Sequence, residues 1–154
     1  MKRRLILPAM LLTSLLAVPC VMALAEDDAA EEPALLCPIS GRKVNTSATA
    51  EHNGGTIYFC CGKCVKAFNA DPSKHATKSN YQLVASGQAK QQACPITGKP
   101  SKAETAIEVG DAKVSVAFCC KRCKAKASGA TGDDQLAMLF GEKAFEKGFK
   151  VPSE

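Results

Sequence analysis

The sequence contains few large apolar side chains and little imidazole. Its 154 residues include no tryptophan, two tyrosines, six phenylalanines and two histidines. Each half of such a chain can bury only a thin core, and small domains of this kind need covalent or coordinate cross-links. Motifs for a phosphate-binding loop, a dinucleotide fold or a Ser-His-Asp triad are missing as well. Hydrolase and nucleotide chemistry therefore lack the residues that would perform them.

A strong excess of one charge is also absent once the N-terminal segment is set aside. Residues 1–25 combine three basic residues, an apolar stretch and a small-x-small site ending at Ala25, the layout of a secretory signal peptide. We expect cleavage after Ala25 and a periplasmic or secreted protein with no membrane span after cleavage. The remaining chain has seventeen basic and fifteen acidic side chains, so nucleic-acid binding has little support. Residues 26–34, acidic and alanine-rich, are expected to form a disordered spacer.

Cysteine is the abundant reactive residue, with nine in the sequence. The eight that follow the predicted signal peptide form two copies of one pattern, in which Cys-Pro-Ile-Ser/Thr-Gly precedes Phe-Cys-Cys-x-x-Cys. Between the first two cysteines of a copy lie 22 residues in one case and 24 in the other. Such self-similarity indicates repeated structural units, which we place at residues 35–87 and 88–154. The copies contain Cys37, Cys60, Cys61 and Cys64, and Cys94, Cys119, Cys120 and Cys123.

Local patterns predict the same small α+β arrangement in both repeats. Asn53-Gly54-Gly55 and Gly110-Asp111 are turn sequences beside β-branched and apolar runs, which is typical of β-hairpins. Residues 62–68 and 121–127 are predicted to form short helices that begin near the last cysteine of each motif. Each repeat then has a knuckle, a hairpin and a short helix, the order found in treble-clef and zinc-ribbon modules.

An additional helix is predicted after each repeat. Asp71-Pro72 favours the cap and first turn of a helix that runs to about Ser86, where Gly87 ends it. In the second repeat, the segment from Thr131 through Ala144 has apolar residues at helical spacing and is predicted to form one terminal helix.

The aromatic residues and the two histidines are assigned to packing and to the surface. Four aromatic side chains near the motifs are expected to lie in the core beneath the thiols: Tyr58, Phe59, Phe68 and Phe118. His52 and His75 have no equivalent in the second repeat. We therefore expect both histidines at the surface, outside any duplicated site.

Three uses of the cysteines remain open at this point. A helix N-terminus favours thiolate over thiol, and thiolate both binds soft metal ions and attacks disulfides. Three thiolates suit copper(I), and four suit zinc. In an oxidising compartment the same residues could instead form four disulfides of a structural or interaction module. Cys61–Cys64 and Cys120–Cys123 are also C-x-x-C pairs, which makes a thiol-disulfide oxidoreductase the enzyme alternative, although the βαβ context of thioredoxin-like motifs is missing.

The first repeat resembles the YHS and TRASH family of small Cys-ligated metal-binding domains. The resemblance rests on Cys37, on Tyr58-Phe59-Cys60 with Cys64, and on the trailing Phe68 and Asp71-Pro72. The second repeat matches through its cysteines and Phe118 but lacks the trailing Phe and Asp-Pro. The duplicated arrangement is similar to exported bacterial proteins with two YHS-like domains.

This resemblance implies a metal-binding protein of the cell envelope rather than an enzyme. It implies about one zinc or copper(I) ion per repeat, exchanged with a metal-delivery or metal-accepting protein. Where four-thiolate members of the wider superfamily have a second knuckle cysteine, this chain has Ser40 and Thr97. The implied ligands are Cys37, Cys60 and Cys64 in one set and Cys94, Cys119 and Cys123 in the other, with Cys61 and Cys120 as candidate fourth ligands.

Overall fold

The computed structural model describes residues 35–152, and this part of the chain is a small α+β protein with five helices and six short strands. The predicted signal peptide and acidic spacer lie outside the described residues. No helix within the described range is long and apolar enough to cross a membrane. The elements are β1 Asn45–His52, β2 Gly55–Phe59, α1 Gly62–Ala70, α2 Pro72–Ala85, β3 Lys90–Gln91, β4 Lys102–Val109, β5 Val114–Phe118, α3 Lys121–Ser128, α4 Gly132–Phe140, α5 Glu142–Gly148 and β6 Phe149–Lys150.

Both predicted hairpins are present, as the antiparallel pairs β1–β2 and β4–β5. The first turn has φ of 49° at Asn53 and 80° at Gly54, the two successive positive values that a tight hairpin turn requires. The second turn is longer and has positive φ at Gly110 and Lys113. Both hairpins have a register shift near their open end. Because β2 and β5 end at the phenylalanine of each motif, the first of its three cysteines follows directly after a strand.

The short helices α1 and α3 begin within the cysteine motifs, as predicted. The helix that follows α1 also starts where its sequence indicates. Pro72 occupies the first turn of α2, and the Asp71 carboxylate accepts a hydrogen bond from the Lys74 N–H at 3.2 Å. Helix α2 ends at Ala85, and Gly87 follows with φ of 74°. These local signals need no tertiary partner, because capping groups lie within a few residues of the backbone groups that they satisfy.

The C-terminal region differs from the prediction of one terminal helix. Gly141 has an extended ψ of 155° and divides the region into α4 and α5. A Cβ at Gly141 would lie 2.6 Å from the carbonyl oxygen of Ala137, so the break requires glycine. The turn allows Phe149 to stack on Phe140 and Phe145, at ring-centroid distances of 5.3 and 5.7 Å. Aromatic packing of this kind stabilises the break over a continuous helix.

Helix α2 lies at the centre of the described residues, which form one compact unit with one hydrophobic core. It packs against β2 of the first repeat and against α4 and α5 of the second. The Tyr81 hydroxyl donates to the Val109 carbonyl at 3.2 Å and accepts from the Ala112 N–H at 2.9 Å. The buried Asn80 amide donates to the Phe140 carbonyl at 2.9 Å. Polar groups of α2 thus satisfy backbone groups in the second repeat.

The predicted core aromatics are confirmed except for Tyr58, which is half-buried. Phe59 and Phe118 are fully buried, and Phe68 is 2% exposed. The expectation of surface positions for His52 and His75 needs correction, because both are half-buried. The His52 ring packs against Phe68, and its Nε2 lies 3.0 Å from the Asn80 Oδ1. Burial also lowers the pKa of the His52 imidazole.

Candidate metal centres

The two knuckles have the same backbone geometry. In each, the cysteine N–H donates to the carbonyl five residues later, at 2.8 Å in the first repeat and 2.9 Å in the second. The glycine four residues on donates back to the cysteine carbonyl, at 2.9 and 2.7 Å. Gly41 and Gly98 have φ of 67° and 72°, a conformation that residues with a side chain rarely adopt. The resulting turn buries the knuckle thiols, leaving Cys37 2% and Cys94 0% exposed.

The structure brings three predicted site cysteines together in each repeat, with all sulfurs of a set within 4.8 Å of one another. The two sulfurs contributed by the strand end and the helix are 3.6 Å apart in the first repeat and 3.7 Å apart in the second. Thiolates arranged tetrahedrally at 2.3 Å from an ion would be about 3.8 Å apart. The spacing therefore suits ion binding without a large rearrangement. The sets are Cys37, Cys60 and Cys64, and Cys94, Cys119 and Cys123.

The two candidate fourth ligands occupy a different position. Cys61 and Cys120 are the N-cap residues of α1 and α3, and both are exposed. The Cys61 sulfur lies 3.8 Å from that of Cys60 and 3.9 Å from that of Cys64. In the second repeat the Cys120 sulfur is 3.8 Å from that of Cys119. These thiols adjoin the three-sulfur sets on the solvent side but are not members of them.

A hydroxyl group contacts each set from the knuckle side. The Ser40 Oγ lies 3.1 Å from the Cys60 sulfur and also hydrogen-bonds the knuckle sulfur of Cys37. The Thr97 Oγ1 makes the equivalent contacts, at 3.3 Å from the Cys119 sulfur. From the family resemblance, these positions were only those at which four-thiolate members have a second knuckle cysteine. The structure adds that their hydroxyls occupy the space beside two sulfurs.

Hydrogen bonds to the knuckle sulfurs outweigh the effect of burial. Burial by itself would raise the pKa of Cys37 and Cys94, but the hydroxyl and three backbone N–H groups hydrogen-bond each sulfur and lower the pKa from 9.0 to about 7. Donors to the charged form favour thiolate. Each knuckle therefore supplies a sulfur that is substantially ionised at neutral pH.

The helix sulfurs have the opposite preference. Burial, together with hydrogen bonds between each thiol and its sulfur neighbours, raises the pKa of Cys64 and Cys123 to about 12. At Cys61 and Cys120, backbone N–H groups of the helix start lower the pKa. A metal-free set thus holds thiolates and thiols together, and ion binding would release the remaining protons.

Two glutamines that the sequence analysis did not identify position the sites. The Gln82 Oε1 accepts from the Tyr58 N–H at 2.7 Å, and its Nε2 donates to the Tyr58 and Leu36 carbonyls at 2.8 and 2.9 Å. In the same way, the Gln91 Oε1 accepts from the Ala117 N–H at 2.9 Å. Its Nε2 donates to the Ala117 carbonyl at 2.6 Å and to the carbonyl before the second knuckle cysteine at 2.9 Å. We call these residues the glutamine brackets. Each bracket ties the strand that precedes the cysteine motif to the start of the knuckle.

All eight cysteines within residues 35–152 are free thiols. Two sets of three cysteines in this arrangement are compatible with metal binding. Comparisons with protein-family models, with curated proteins and with solved structures found no match to this chain.

Proposed function

We propose that this protein binds a soft metal ion in each of two Cys-thiolate sites and passes it between partners in the cell envelope. The observation that carries the proposal is the duplicated set of three sulfurs within 4.8 Å of one another. Similar distances and hydrogen bonds recur in both repeats, although the surrounding sequences differ. This recurrence favours a binding role for the cysteines over a role in packing alone. Cysteine-rich sites favour soft ions.

Three sulfurs and a neighbouring hydroxyl favour copper(I), whereas a fourth sulfur would favour zinc. Ser40 and Thr97 occupy the knuckle side of each set, so a fourth thiolate can come only from the helix start. Exposure of Cys61 and Cys120 leaves that side open to exchange. We therefore propose copper(I) as the ion of the three-sulfur sets, with zinc as the alternative in which the exposed cysteine is a resident fourth ligand.

The proposal includes the family and the compartment. The order of knuckle, hairpin and short helix in both repeats, with the aromatic-Cys-x3-Cys pattern, supports tandem YHS/TRASH-like modules of treble-clef type. The layout of residues 1–25 supports export to the periplasm or beyond the cell. A metal-delivering or metal-accepting protein of the same compartment would be the partner.

Removal of one ligand from one repeat tests the ligand assignment. Cys64→Ser is expected to disable the first site and leave the second intact, because each set is built from its own knuckle, strand and helix. Metal content of the reduced, purified chain should fall from about two ions to about one, by elemental analysis after loading with zinc or copper(I).

The mirror variant Cys123→Ser is the matched control and should also retain about one ion, held by the first repeat. If either variant keeps the full metal content of the unaltered chain, the ligand sets are wrongly assigned. An unaltered chain that takes up neither ion would refute the proposed function itself.

A second candidate function is thiol-disulfide exchange, favoured by one specific contrast. Cys61 is exposed and has a lowered pKa, whereas Cys64, 3.9 Å away, is buried and has a raised pKa. An exposed nucleophile beside a buried partner is the arrangement that forms a mixed disulfide and then resolves it. Reversible oxidation of the metal-free chain by a dithiol redox buffer, with turnover of a disulfide substrate, would support this function. Resistance of the metal-loaded chain to the same buffer is expected if metal handling is the main role.

A further inference from the structure

Two overlapping sets of three sulfurs exist in the first repeat. The inner set is Cys37, Cys60 and Cys64. A second set replaces the knuckle sulfur with that of Cys61. The Cys61 sulfur lies 3.8 Å from that of Cys60 and 3.9 Å from that of Cys64, and the latter two are 3.6 Å apart. These values match the separation of about 3.8 Å for tetrahedral thiolates at 2.3 Å from an ion. An ion could therefore be held on either face of the Cys60–Cys64 pair.

The two faces differ in their access to solvent. Cys37 is 2% exposed and is enclosed by the knuckle backbone, so an incoming ligand cannot reach it first. Cys61 is exposed at the start of α1, so its sulfur is the one that an incoming ligand reaches first. The outer set is accordingly the face that a metal carrier meets.

The second repeat has a similar arrangement. The Cys120 sulfur lies 3.8 Å from that of Cys119, and the sulfurs of Cys119 and Cys123 are 3.7 Å apart. Cys120 is exposed and Cys94 is fully buried. Because the surrounding sequences differ, the recurrence of an exposed cysteine beside each inner set argues against chance placement of the fourth cysteine.

From this geometry we infer that Cys60–Cys61–Cys64 and Cys119–Cys120–Cys123 form outer metal positions through which an ion moves between a thiolate-bearing carrier and the buried inner set. The inference rests on the proposed function and gives the fourth cysteine a role in transfer rather than in permanent binding. The carrier is a protein or small molecule that presents the ion on exposed thiolates, since soft ions prefer thiolate ligands on both sides of an exchange.

Transfer proceeds as ligand exchange with no change in oxidation state. The Cys61 thiolate forms a bond to the ion while a carrier thiolate leaves. Bonds to Cys60 and Cys64 replace the remaining carrier bonds, and any protons on these thiols go to solvent. The ion then bonds the Cys37 sulfur as its bond to Cys61 breaks. The coordination number stays nearly constant, which keeps the barrier low, and release follows the reverse order.

The double variant Cys61→Ser/Cys120→Ser tests this inference. The reduced chain is loaded separately with Zn²⁺ and with copper(I), and transfer to excess chromophoric chelator is followed by absorbance, using pyridylazoresorcinol for zinc and bicinchoninate for copper(I). We expect an unchanged copper(I) content and copper(I) transfer slowed by about tenfold or more. The matched control is Gly62→Ser/Lys121→Ser, which places serine at the next exposed position, where a Cβ at Gly62 has nothing within 4 Å.

Each other outcome overturns the inference in a distinct way. Transfer by the double variant at the rate of the unaltered chain would remove any role for the outer position. A lower metal content in the variant would make Cys61 and Cys120 resident ligands of four-sulfur sites. Failure of the unaltered chain to bind either ion would be a failure of the proposed function, and it is seen before any transfer is measured.

Discussion

Individual cysteines in the two sites differ in their preferred protonation state, although they share one motif. Hydrogen bonds hold the pKa of Cys37 and Cys94 at about 7, whereas burial raises that of Cys64 and Cys123 to about 12. A cysteine motif by itself would suggest equivalent thiols. The difference arises because backbone donors converge on the knuckle sulfur, and the helix sulfur faces other sulfurs and the core.

These opposite shifts predict how the stability of the metal-free chain depends on pH. A thiol whose folded pKa lies below its unfolded value of 9.0 adds stability as pH rises from about 7 to 9, and this contribution is lost as pH falls through 7. A thiol with a folded pKa of about 12 opposes folding above pH 9. The free energy of unfolding should therefore increase from pH 6 to about 9 and decrease above it.

Denaturant unfolding of the reduced, chelator-treated chain at several pH values measures this profile. The double variant Ser40→Ala/Thr97→Ala removes the hydroxyl donors and should weaken the rise between pH 7 and 9. A profile that is flat over this interval in the unaltered chain would contradict the assigned thiol pKa values.

At the scale of secondary-structure elements, a helix and a short strand make equivalent hydrogen bonds through the glutamine brackets. Gln82 belongs to helix α2, whereas Gln91 belongs to the two-residue strand β3 that pairs with β6. Their sequence distances to the knuckle cysteines differ in size and in direction. Both still bond the strand residue two positions before the first cysteine of the motif and the carbonyl before the knuckle. Hydrogen-bond geometry, and not chain position, makes them equivalent.

Truncation of a bracket should cost stability and metal affinity together. Gln82→Ala leaves the Tyr58 N–H and two carbonyl groups without their partner, and unsatisfied buried groups cost about 1–3 kcal/mol. The loosened knuckle should also weaken ion binding in the first repeat, measured by competition with a chelator.

Gln92→Ala is the matched control, because Gln92 is exposed and lies next to Gln91. It should change neither the free energy of unfolding nor the metal affinity beyond about 0.5 kcal/mol. An equal loss of stability and metal affinity in Gln82→Ala and Gln92→Ala would show that the bracket contacts do not cause the effect.

At the scale of the whole described molecule, helix α2 makes the two repeats interdependent. Tyr81 holds the second hairpin turn, where a Cβ on Gly110 would lie 2.5 Å from the tyrosine hydroxyl. Across the same interface the Lys78 ammonium lies 3.2 Å from the Asp133 carboxylate, an exposed pair that adds little stability. The apolar side chains of both repeats belong to one cluster. Metal bound in one repeat should therefore stabilise the other.

We accordingly expect a single cooperative unfolding transition, because small units with one core unfold as a whole. Calorimetry of the Cys64→Ser variant, loaded with metal at the second site only, should show one transition at a higher temperature than its metal-free form. Tyr81→Phe should lower the stability by about 1–2 kcal/mol through the loss of two hydrogen bonds without changing the metal content. Two separate transitions would contradict the interdependence of the repeats.

Much of the local structure was predictable, because the signals act over a few residues. The turn at Asn53-Gly54, the cap at Asp71 and the grouping of cysteines into two sets all follow from short-range rules. The break at Gly141 was not predictable from apolar spacing, since the helical pattern continues across it. It depends on aromatic stacking of Phe149 onto Phe140, which brings together residues on either side of the break.

Short-range signals along the chain predicted the two groups of cysteines and the start of each hairpin and helix near the motifs. Turn glycines, helix caps and cysteine spacing constrain the backbone locally, so they have nearly the same effect in any fold. Which sulfurs are buried, which are exposed, which hydroxyl groups contact them and which glutamine groups bond the backbone before each knuckle follow from how the elements pack. Those properties depend on contacts such as that between Gln82 and Leu36, 46 residues apart. Contacts of this range form only when the elements pack, because spacing along the chain does not specify distance in space.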